Sequence, residues 1–206
     1  MRQRTPAVKQ ARIRVNIPCE LSVANSTAMD TVRITKKETA TRQLDGAIQL
    51  LFAGADIVAV HTLAGAGSKI ASDLIELEQS EKSWDPNTQE VSAPIQRSYF
   101  QLMHATQAIL KHADVDPDNA HEFEISDTFA LLATSVFNIA KLTGGLTTPQ
   151  AVYQIWYAAC NLDALGESFE HHAVVKDVVG DLSKRTISYQ LAVGRRELQE
   201  AMQDAV

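Results

Sequence analysis

After residue 35 the apolar residues recur every three or four positions, the spacing that gathers them on one side of an α-helix. Thr35-Lys36-Lys37-Glu38 reads as a capping box. Ala40, Leu44, Ala47, Ile48 and Leu51 follow on one face, and Gly54 supplies the stop. Asp56 opens a second helix to about Glu78, with Val60, Leu63, Ala64, Ile70, Ala71, Leu74 and Leu77 inward. Pro94 fits the first turn of a third helix to about His112, carrying Ile95, Tyr99, Leu102, Met103, Ala105, Ile109 and Leu110. Ser126 caps a fourth, with Phe129, Leu132, Ala133, Val136, Ile139 and Ala140 inward and Gly144-Gly145 as the stop. Thr148-Pro149 starts a fifth, bearing Val152, Ile155, Trp156 and Ala159. A shorter helix is expected over 167–179. Ser183 or Asp181 caps the last, which carries Ile187, Leu191 and Leu198 and runs to about Met202.

No alternating strand pattern of useful length appears after residue 35, and no repeat or low-complexity segment. The expectation is an all-α fold, an irregular bundle of about six to seven helices. Inside the second helix stands Ala64-Gly65-Ala66-Gly67-Ser68. Each interior glycine costs about 1 kcal/mol against alanine, so these two predict a close approach by a neighbouring helix. Residues 1–28 hold no sustained period beyond a possible short strand over 13–17 and contain Pro6 and Pro18. They read as a flexible basic arm, and 29–206 as a single helical domain. Met29 opens a stretch that looks like a natural start.

Composition narrows the class without naming an activity. The chain has 206 residues, 45% hydrophobic and 21% charged, which excludes a wholly disordered chain, a collagen and a disulfide scaffold. Its net charge of −6 is uneven. Arg2, Arg4, Lys9, Arg12 and Arg14 against Glu20 leave +4 on residues 1–28 and −10 on the remainder. The acidic total opposes broad nucleic-acid binding, except through the arm. Cys19 and Cys160 have no CxxC spacing, which suits a reduced, cytoplasmic protein. No apolar run reaches the roughly 18 residues of a membrane span, and the N-terminus lacks the apolar stretch of a signal peptide. It is Arg-rich like a transit peptide, with only Thr5 and Ser22 as hydroxyls before residue 26.

Two stretches and a tripeptide carry a resemblance. The first stretch is Arg42-Gln43-Leu44-Asp45-Gly46-Ala47-Ile48-Gln49-Leu50-Leu51-Phe52 with Val58-Ala59-Val60-His61-Thr62-Leu63-Ala64. The second is Lys111-His112-Ala113-Asp114 with Asp116-Pro117, and the tripeptide is Leu142-Thr143-Gly144. Over roughly residues 30–166 the chain resembles a group of small uncharacterised bacterial proteins. The resemblance brings no activity. It implies that Met29 lies near the ancestral start and that residues 1–28 and the helices after 167 are additions.

Three constellations invite chemistry. Asp114, Asp116 and Asp118 match the opening of an EF-hand loop, but Asn119 and Ile125 stand where that loop needs glycine and a bidentate glutamate. His61, His104 and His112 lie on expected helices, and with Asp114 or Asp116 they offer a His/carboxylate metal site. The plainer reading is structural: His61, His112, Asp114 and Asp116 form a polar cluster that pins the 112–125 loop to the second helix, with no metal. Arg97 and His104, six residues between them, meet the loosest form of the R-x4-6-H pattern of small HEPN ribonuclease domains. There the arginine would steady a phosphate and the histidine move a proton; a surface arginine beside a half-buried histidine fits as well. His171-His172 cannot share a helix face. No P-loop, GxGxxG, CxxC or GxSxG is present.

The expected function is a non-enzymatic helical interaction module that associates with itself or another protein, without cofactor. The alternative is a HEPN-like ribonuclease or a His/Asp metal-dependent hydrolase. The first rests on the glycine stripe, the Trp156-Tyr157 pair and the basic arm.

Overall fold

A computed structural model describes residues 31–79, 106, 109, 110, 120, 122 and 124–204. By contacts the chain divides into Met1–Arg33 and a body, Ile34–Val206. The described residues of the body form seven helices and no strand, an all-α bundle: α1 (Lys36–Ala53), α2 (Ile57–Gln79), α3 (Ile125–Thr143), α4 (Thr148–Cys160), α5 (Leu162–Leu165), α6 (His172–Val178) and α7 (Ile187–Asp204). Thr106, Ile109 and Leu110 are also helical; the rest of the helix expected over 94–112 lies outside the described residues.

The α1 ends follow the sequence signals. Thr35 Oγ1 accepts the Glu38 N–H at 3.2 Å, and Glu38 Oε2 accepts the Thr35 N–H at 2.8 Å. Gly54 closes the helix at φ +76°, a left-handed conformation that costs glycine little. Two residues later Asp56 Oδ1 accepts the Val58 N–H at 2.8 Å and starts α2. So short a connection makes α1 and α2 an antiparallel hairpin. Lys37 Nζ and Glu78 Oε2, 2.8 Å apart, tie its open end.

The hairpin seam carries the small residues. Gly67 faces Leu44, and a Cβ there would stand 3.0 Å from Leu44 Cγ and 3.2 Å from the Ala40 carbonyl. The predicted close contact is therefore real at Gly67, and it lies inside the protein. Gly67→Leu is expected to cost about 1–3 kcal/mol by overpacking, read from urea unfolding. A neutral result would contradict the seam.

Leu77 is a correction. It is 83% exposed, while Ile75 is fully buried in its stead. At about 100° per residue, Ile75 returns to the face of Ala71 and Leu77 overshoots to the opposite side.

Helix α3 packs on α1, α2 and α4. It is long and apolar enough to cross a membrane, but half of that stretch is buried within the protein, as befits a core helix. Its N-cap is Glu124, not Ser126. The Ser126 hydroxyl donates instead to Glu124 Oε2 at 2.9 Å, and the Glu124 N–H donates to Asp127 Oδ2 at 3.4 Å. Gly144 stops the helix at φ +76°, as expected.

Helix α4 buries Tyr153, Trp156 and Ala159 and leaves Ile155, expected inward, 38% exposed. A helix over 167–179 does not form as a unit. Gly166, at φ +70° and ψ 172°, ends the short α5, and the chain turns through 167–171 before α6 begins at His172. The cap of α7 is Thr186, whose Oγ1 accepts the Tyr189 N–H at 3.4 Å. Asp181 and Ser183 form a turn earlier instead, and Ile187 is 46% exposed rather than inward.

An aromatic group joins the two halves of the bundle. Trp156 meets Phe52 of α1 and Phe129 of α3 edge-on, each with centroids 5.2 Å apart. Its indole N–H donates to the Gln190 carbonyl at 2.6 Å, and the Tyr153 hydroxyl to the Phe129 carbonyl at 2.7 Å. Burying these rings therefore strands neither polar tip. Gly194 of α7 packs directly on Phe52, and Arg195 Nε donates to the Phe52 carbonyl at 2.6 Å. That bond satisfies one of the orphan carbonyls at the end of α1.

Candidate functional site

Of the candidate residues, His61 lies among those described; Arg97, His104, His112, Asp114 and Asp116 lie outside them. His61 is 1% exposed. Its Nδ1 sits 2.9 Å from Thr128 Oγ1 in the first turn of α3. A hydroxyl both donates and accepts, so the contact holds for either tautomer. His61 thus pins α2 to the start of α3, immediately after the loop it was expected to hold. Thr128 was missed because a threonine inside a helix carries no signal of its partner. The imidazole is buried where α2 meets the start of α3.

A second polar contact was not anticipated. Asp45, in the quoted Leu44-Asp45-Gly46, points from α1 to the start of α4. Its Oδ1 accepts from Thr147 Oγ1 and from Gln150 Nε2, both at 2.7 Å. The same two side chains form the α4 capping box: Thr147 Oγ1 accepts the Gln150 N–H and Gln150 Oε1 accepts the Thr147 N–H, both at 3.4 Å. One carboxylate oxygen therefore fixes both members of a helix cap, and its charge sits at the favourable end of the α4 dipole. Burial raises the Asp45 pKa, against the lowering effect of the Thr147 and Gln150 hydrogen bonds. An acid one position after a buried leucine was the available signal.

Asp45→Ala is expected to cost about 1–2 kcal/mol, because two donors lose their acceptor at a site half open to solvent. Asp45→Asn keeps an acceptor and tests the charge. A folded pKa above the unfolded one means that the native state holds the proton more tightly. The parent should therefore gain stability relative to Asp45→Asn as pH falls through the folded pKa towards the ordinary carboxylate value. Paired urea titrations at several pH values measure this; an opposite slope would contradict the burial of Asp45.

Further along the same face of α1, Lys37, Glu38, Thr41 and Arg42 line a shallow surface hollow with Thr143 of α3. Its groups are largely engaged within the protein. Lys37 pairs with Glu78, and Glu38 caps Thr35. The Thr41 hydroxyl donates to the Lys37 carbonyl at 2.9 Å. That of Thr143 reaches the Ile139 and Gly145 carbonyls at 2.8 and 2.9 Å. The Glu38 carboxyl is held below its usual pKa, first by the Thr35 backbone hydrogen bond.

Burial pushes the Cys160 thiol up to about 12, so it stays protonated and unreactive at neutral pH. Among the described residues no group of three or more His, Cys, Asp or Glu side chains converges as metal ligands. His171 precedes α6 and lies edge-on to Phe169, with centroids 5.7 Å apart.

The supports for an interaction surface shift. Trp156 is fully buried and Gly67 is internal, so neither offers itself to a partner. Exposed apolar side chains stand instead on α6. Val174 is 60% exposed and Val178 56%; at i and i+4 they share a face. Val175, buried between them in sequence, belongs to the core. No protein family, curated protein or solved structure matches the chain.

Proposed function

We propose that this chain is a non-enzymatic helical interaction module that associates with itself, working as a bacterial cytoplasmic protein. The observation that carries this reading is the exposed Val174–Val178 stripe on α6. The polar side chains described above serve internal contacts instead: His61 on Thr128, Asp45 on the α4 cap and Arg195 on the α1 terminus. A short apolar stripe gains most from meeting its own copy about a two-fold axis, because each substitution-sensitive contact then occurs twice.

Sedimentation of the full chain across a wide concentration range tests it. The parent should show a reversible monomer–dimer equilibrium. Val174→Asp combined with Val178→Asp should shift it to monomer with unchanged circular dichroism. A chain monomeric throughout, or a dimer indifferent to the double substitution, would refute self-association through α6. RNA cleavage lost on Arg97→Ala or His104→Ala would favour the HEPN-like reading. Retained metal lost on His112→Ala, with a chelator-induced drop in Tm, would favour the His/Asp hydrolase.

A further inference from the structure

We draw no further inference here: the strongest candidate, the surface hollow between α1 and the C-terminal end of α3 lined by Lys37, Glu38, Thr41, Arg42 and Thr143, carries nothing because Lys37, Glu38, Thr41 and Thr143 already spend their polar groups on contacts within the protein and no observation there points to a ligand.

Discussion

Gly194→Leu should strongly destabilise the protein by overpacking the seam between α7 and α1. A Cβ at Gly194 would stand 2.2 Å from Phe52 Cε1 and 2.7 Å from both Cδ1 and Cζ, well inside van der Waals contact. The ring has little room to retreat, since Phe52 is 1% exposed and packs edge-on against Trp156. Relief requires α7 to move away from α1, which also stretches the bond from Arg195 to the Phe52 carbonyl. The loss should reach or exceed the upper end of ordinary overpacking, about 3 kcal/mol. Gly194→Ala should go the same way with a smaller loss. Urea unfolding of both variants, with Phe52→Leu added to Gly194→Ala as a partial rescue, measures the effect. Parent-like stability in Gly194→Leu would mean that α7 does not rest on Phe52.

Trp156→Ala should be comparably damaging, for the opposite reason. It empties the space between Phe52, Phe129 and Tyr153, and truncating a buried aromatic costs about 3–5 kcal/mol. It also leaves the Gln190 carbonyl without the indole N–H. Trp156→Phe separates the two contributions. It keeps most of the ring volume but not the donor, so it should cost less than the alanine variant by a clear margin. Equal losses in the two variants would make the hydrogen bond, rather than ring packing, the dominant contribution.

The helix starts and stops that read correctly from sequence are those made by a short local exchange. Thr35 with Glu38, Asp56 with Val58, and Gly54 and Gly144 at left-handed φ all complete their bonds within a few residues. The starts at Glu124 and Thr186 were missed because a nearby Ser or Asp looked the better cap and found another partner. The core stripe was legible where small and large apolar residues alternate unambiguously, as in α1. It failed at Leu77, because Ile75, two residues earlier and on the other side of the helix, takes the place in the core. Gly67 was legible as a contact because it sits beside a second glycine. Gly194, the tighter contact, follows Val193 with no such neighbour, and its need for a bare backbone is dictated by a ring far away in sequence. The candidate site was legible only in part. His61 stood out as a histidine in an apolar stripe, but Thr128 did not, and Asp45 was read only as part of a motif. Polar partners separated by 67 or 105 residues leave no spacing to read.

The bond from Arg195 to the Phe52 carbonyl spans 143 residues, and that separation has a consequence for how the chain is born. The α1–α2 hairpin is built from neighbours and can close as soon as both helices have left the ribosome. The seat for Phe52 and Trp156 is completed only by Gln190, Gly194 and Arg195. Until α7 is synthesised, these rings have no lid, and the nascent chain carries an apolar face that chaperones and aggregation compete for. Closing so long a loop also carries a greater entropic cost than closing the α1–α2 hairpin across its short turn, which favours a body whose first hairpin forms before its last helix docks.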